Sequence, residues 1–200
     1  MRLTGLLLVV ATSSAAAPVF TNLTPATPPS GRRSSGGAMV TLGGDTFVGY
    51  GGFTGAGAPL SDVPAWSSAT NAWMTAASGL AGRERHGFAY DPVNDRFVVF
   101  GGVNGVSLFD TVLLLSGPTR AGTQPPAPSG TRPSARADPL IQWIPPLQRF
   151  LVFGGRTSVF ANTFVGDTWT LSVADGGATW TSVVGTGPSA RGAGCSAWDP

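Results

Sequence analysis

The sequence predicts an all-β chain assembled from four-stranded units that recur about every fifty residues. Three observations carry that prediction. Short apolar runs such as HGFAY (86–90) and RFVVF (96–100) follow the period of a strand and are joined by a turn-rich Asp91-Pro92-Val93-Asn94-Asp95. Glycine pairs close the second run of each unit, at Gly51-Gly52, Gly101-Gly102 and Gly154-Gly155. Arginines open the units at Arg32, Arg83, Arg136 and Arg191, spaced 51, 53 and 55 residues apart.

Composition agrees with a folded, turn-heavy chain. Of 200 residues 29 are glycine and 17 proline, yet 42% are hydrophobic and six are tryptophan, core-forming residues that disordered chains lack. Charge is sparse, at 11% with a net of +2, and all twelve basic residues are arginines. A nucleic-acid binder needs a dense basic face, whereas these arginines come singly at unit intervals, so nucleic acid is not an expected partner. Cys195 is the only cysteine, which rules out an intrachain disulfide and predicts a small buried hydrophobe.

The units can be justified in chain order. Residues 1–17 run from Met1-Arg2 through an apolar stretch to small residues, the layout of a secretory signal peptide. The expected location is therefore secreted, periplasmic or cell-surface. That stretch is too short to span a bilayer and no other approaches the length, so no transmembrane segment is expected. Residues 18–31 read as one short strand (20–23) and a Pro/Ser/Gly loop, with Asn22-Leu23-Thr24 fitting the N-glycosylation pattern. The repeated units follow at 32–82, 83–135 and 136–190, with an incomplete one at 191–200.

Inside each unit the second strand is TFVGY, RFVVF or RFLVF, followed by the glycine pair and a variable loop. The glycines predict positive φ and a close backbone approach. Asp62, Asp110 and Asp167 then open the third strand, where they are expected to accept backbone or hydroxyl hydrogen bonds. Trp73 and Trp180 mark fourth strands, and with Trp169 they are expected to fill the space between sheets. In the second unit SGPTRAGTQPPAPSG (116–130) takes the place of a tryptophan strand. Proline cannot donate to a ladder, so that outer strand should be short or missing.

The arginine turn, the Tyr90-Asp91-Pro92 turn, the apolar strand with its glycine pair, Asp167-Thr168-Trp169 and the later tryptophan together resemble the kelch repeat. That resemblance implies a kelch-type β-propeller of about three four-stranded blades plus the first strand of a fourth, over residues 32–200. Residues 191–200 match 83–92 in register, and the strand at 20–23 then becomes the fourth strand of a ring-closing blade. Because propellers carry 4–8 blades, further blades past Pro200 or from another chain are expected to close the ring.

Galactose oxidase shares such a propeller, but one histidine, His86, cannot hold a copper ion, and no cofactor or metal is expected. His86 stands three residues after Arg83, where a ring bonded to backbone is favoured over a catalytic base lacking an orienting partner. No catalytic residue is assigned. Arg32, Arg83, Arg136 and Arg191, with His86, are the candidate binding residues, because propeller symmetry sets the arginines around one mouth of the channel. There they either take carboxylates bidentately or bond to neighbouring carbonyls. The expected function is a secreted, non-catalytic binding scaffold for a protein or glycan. The alternative is a carbohydrate enzyme, mutarotase-like or copper-radical oxidase-like, whose catalytic residues lie beyond residue 200.

Overall fold

The computed structural model describes Pro25 and residues 27–42, 45–174 and 177–197. The expected signal segment 1–17, the strand at 20–23, Asn22 and the Asp199-Pro200 turn lie outside them.

The chain is all-β. The first sheet holds β1 (Gly36–Leu42), β2 (Asp45–Tyr50), β3 (Asp62–Ser67) and β4 (Ala72–Ala77). The second begins with β5 (Gly87–Asp91) and β6 (Arg96–Phe100), and a small hairpin, β7 (Val103–Asn104) with β8 (Ser107–Leu108), follows in its loop. It continues with β9 (Val112–Ser116) and β10 (Gly122–Thr123). The third holds β11 (Leu140–Ile144), β12 (Arg149–Phe153), β13 (Thr168–Ala174) and β14 (Gly177–Val183). Each four-stranded sheet is an antiparallel meander in chain order, so consecutive strands meet through local connections. The first strands lie together, with β5 between β1 and β11. Residues 191–197 form no strand.

The sheets stack face to face because strand periodicity sends alternate residues to opposite sides. From β6, Phe97 and Val99 pack with Val48, Tyr50, Val63 and Ala65 of the first sheet. Val98 and Phe100 pack with Phe150, Val152, Trp169 and Trp180 of the third. The second sheet is therefore covered on both faces, which explains why RFVVF reads as a continuous apolar run. Trp180 meets Phe100 at 4.7 Å between ring centroids and stands edge-on to Trp169 at 6.5 Å, filling the gap between sheets as expected. Trp73 differs. Its register partner Trp66 and the neighbouring Phe47 share the face turned away from the second sheet, and Trp73 is half-buried, edge-on to Phe47 at 5.9 Å.

Turn chemistry follows the residues present. Asp91, 1% exposed, accepts from the N–H groups of Val93 and Asn94 at 3.0 and 3.2 Å and from Arg96 Nε at 3.0 Å. The third unit has no such aspartate, and a 3-10 turn (Pro145–Leu147) ends instead on left-handed Gln148, φ 47°. The proline-rich outer edge of the second sheet is reduced to the two residues of β10, as the missing proline N–H groups require. Cys195, expected to be buried, is exposed, on a stretch (191–197) that runs outside any sheet.

Candidate functional site

One joint, repeated three times, organises the arginines and glycine pairs. The N–H of the second glycine donates to the carbonyl of the next unit's arginine: Gly52 to Arg83 at 3.0 Å, Gly102 to Arg136 at 2.8 Å, Gly155 to Arg191 at 2.8 Å. That arginine's own N–H returns to the loop, at Leu60, Phe109 and Val165 respectively. The first glycine is left-handed each time, with φ of 60°, 69° and 64°. A Cβ on Gly101 would lie 2.5 Å from the Arg136 carbonyl oxygen, so only glycine fits.

The arginine side chains turn inward. Arg136, 1% exposed, donates Nη1 to the Gly154 carbonyl at 2.9 Å and to Asp167 Oδ1 at 2.7 Å. Its Nη2 reaches Asp167 Oδ2 at 2.9 Å and Ser134 Oγ at 3.2 Å, and Nε reaches the Ser134 carbonyl at 3.0 Å. Arg32 repeats the same set with Gly51, Asp62 and Ser30. Both forks already hold a carboxylate, so neither stands open at the mouth of a channel. The carbonyls they bond to belong to their own unit. Burial pushes the Asp167 carboxyl up, but hydrogen bonds from Arg136 and Trp169 and the Arg136 charge outweigh it and hold the group below its ordinary value. Asp62 and Asp167 thus serve the arginine first, and Asp167 accepts from the Trp169 side chain and a backbone N–H as well.

The second unit breaks the pattern. Gly51 donates to the Asp62 carbonyl and Gly154 to Asp167, but Gly101 donates to Thr111. Thr111, and not Asp110 as the sequence led us to expect, therefore holds the aspartate position; Asp110 points elsewhere and pairs with Arg132 at 2.9 Å. Arg83, 2% exposed, keeps the Gly101 carbonyl at 2.9 Å and gains only Thr111 Oγ1 at 3.3 Å. The Phe109 ring covers the guanidinium at 4.2 Å, where the flanking units have Leu60 and Val165. Burial lowers the Arg83 pKa to about 10. Arg191 is exposed, and among the described residues its side chain bonds only to Ser189, through Nε at 3.0 Å and Nη2 at 2.9 Å.

His86 packs between Tyr50 and Phe88 and accepts the Gly36 N–H on Nε2 at 3.2 Å. Burial, reinforced by the Arg83 charge and only partly opposed by the backbone of Arg83 and Tyr50, pulls its pKa from 6.5 down to about 3. A folded pKa below the unfolded one means the unfolded chain takes up the proton first. The stability is complete above pH 6.5 and falls as pH drops towards 3. At about 1.4 kcal/mol per pH unit, roughly 2–3 kcal/mol should be gone by pH 4.5. Urea unfolding at pH 7.5 and 4.5 measures this, and His86→Gln should flatten the difference. An equal acid loss in that variant would remove His86 as the cause.

Sequence reasoning missed the residues two places after each arginine. Ser34, Arg85, Asp138 and Ala193 are all left-handed, with φ of 56°, 58°, 54° and 58°. Arg85 N–H donates to the Ser34 carbonyl at 2.8 Å, Asp138 to Arg85 at 2.7 Å, and Ala193 to Asp138 at 3.1 Å, a backbone chain across the units. Arg85 also takes the Asp138 carboxylate bidentately, and Arg156 Nε approaches it at 3.9 Å. Their fixed offset from the arginines was the only available signal. On this same side emerge the loops after the glycine pairs. There Arg33 lies over Phe53 at 5.3 Å, and Val106 and Phe160 are 67% and 86% exposed.

No family model and no curated protein matches the sequence. Among the described residues there is no group of three or more His, Cys, Asp or Glu placed to hold a metal ion, and no helix long and apolar enough to cross a membrane.

Proposed function

We propose that the chain is part of a kelch-type β-propeller that acts as a secreted, non-catalytic binding scaffold, holding a protein or acidic-glycan partner on the loops of the arginine side. The observation that carries this reading is a constant frame under variable loops. Three four-stranded meanders share one joint, with their first strands side by side. The loops above that joint differ in length and sequence and present Arg33, Val106 and Phe160. Binding residues typically sit on loops held by a rigid scaffold. Arg33 has no carboxylate partner among the described residues and supplies a cation for an acidic group. The layout of residues 1–17 supports export.

The test is a binding screen of the full chain against surface proteins and an array of acidic and neutral glycans. A variant carrying Arg33→Ser and Phe160→Ser should lose at least about tenfold in affinity, a loss of roughly 1.4 kcal/mol, with its melting temperature unchanged. No ligand in the screen, together with turnover of any sugar by the chain, would overturn the scaffold reading in favour of an enzyme.

A further inference from the structure

The three joints are close to superimposable in their bonding, so the one that differs can be compared directly with the other two. In the flanking units each guanidinium engages all three nitrogens: Nε and Nη2 with a serine two residues before the arginine, and Nη1 and Nη2 with an aspartate carboxylate. The second unit lacks every one of those partners. Ala81 stands where Ser30 and Ser134 stand, so the Oγ is missing, and the Ala81 carbonyl is taken by the Tyr50 hydroxyl at 2.8 Å. Thr111 stands where Asp62 and Asp167 stand, ending one heavy atom sooner and carrying no charge. Arg83 is consequently bonded through Nη1 alone, and its buried Nε has no partner.

We infer that the Arg83 edge, with Thr111 beside it, is a binding site for a small oxyanion or carboxylate, held where the side chains of Asp62 and Asp167 lie in the flanking units. The Phe109 ring covers a face of the guanidinium, but the N–H hydrogens lie in the guanidinium plane, so Nη2, whose counterparts in Arg32 and Arg136 donate to the carboxylate, keeps a hydrogen for the anion. Beside Nη1, which is taken by Gly101 and Thr111, Nη2 gives the charge-assisted bond that a carboxylate accepts. The charge at this place is uncompensated: no ion pair to Arg83 forms among the described residues, whereas Arg32 and Arg136 each have one. The equivalent places in the flanking units reach solvent, with the Asp62 and Asp167 side chains 29% and 37% exposed, and Thr111 itself is half-buried. Thr111 Oγ1, which accepts from Arg83, can donate its own hydrogen to the anion. This site does not depend on the loop face binding a partner.

The test uses the full chain, with sodium formate replacing sodium chloride at constant ionic strength. Wild type should gain about 3 °C in melting temperature, saturably. Thr111→Asp supplies the carboxylate internally, so it should start higher and not respond to formate. Sodium glucuronate, with glucose as the neutral control, distinguishes the sources. A stronger response to glucuronate than to formate assigns the site to a carboxylate carried on a larger ligand, and a response to formate alone assigns it to a free anion. No response in wild type, or an equal response in Thr111→Asp, overturns the site. If Thr111→Asp fails to fold, the Arg83 Nη2–H resonance of wild type decides. It should move downfield through a formate titration, and an unmoved resonance overturns the site as well.

Discussion

Replacing Gly101 with alanine should lower the unfolding free energy by about 3 kcal/mol or more, the sum of two separate effects. The first is conformational: at φ 69° an L-residue suffers a left-handed penalty of roughly 1–2 kcal/mol. The second is the clash with the Arg136 carbonyl oxygen, which is main chain and itself holds the Gly102 N–H at 2.8 Å, so it cannot move aside without breaking the joint. Gly105 separates the two effects. It has φ 60° and no atom within 4 Å of the place an alanine methyl would occupy, so Gly105→Ala should show the conformational penalty only. Urea unfolding of both variants measures the difference. Equal losses would mean that the carbonyl approach contributes nothing.

Arg136→Met should be comparably severe, at roughly 2–3 kcal/mol, because it takes the donors from a buried carbonyl and from a carboxylate that is only partly exposed. Methionine fills a similar volume, so the loss reports bonding more than packing. The Gly154 carbonyl and both Asp167 oxygens lose their donor, and only Trp169 Nε1, at 2.6 Å from Oδ2, still serves that carboxylate. Adding Asp167→Val should recover part of the stability, since the carboxylate left behind goes with it. A double variant less stable than Arg136→Met would contradict this account. The same cycle at Arg83 has no carboxylate to remove, so Arg83→Met should be milder than Arg136→Met.

The sheets were legible in the sequence because their determinants are local. TFVGY, RFVVF and RFLVF each became the second strand of a sheet, and the prolines after Thr123 cut short the outer edge of the second, all from residue type and spacing. The arginine joints were legible as positions but not as directions. A repeated arginine before a strand reads alike whether it faces solvent or folds back onto a glycine carbonyl, and only the stacked sheets decide between the two. Thr111 was hidden by loop length. Gly51 to Asp62, Gly101 to Thr111 and Gly154 to Asp167 are three different spans, and an aspartate happens to stand at 110. The left-handed residues gave only their fixed offset from the arginines as a signal, since Ser34, Arg85, Asp138 and Ala193 include no glycine or asparagine to mark that conformation.

The backbone chain through those four residues has a consequence for how such a protein can grow. Its bonds run from peptide N–H to peptide carbonyl, so this one strand of contact between neighbouring units is the same whatever side chain stands there. Copying a whole unit would therefore reproduce a valid junction at both ends of the insert. The side chains at these places are not needed for that backbone bond, and at one junction Arg85 and Asp138 add an ion pair to it. The serine, arginine, aspartate and alanine found there are what such interchangeable modules accumulate.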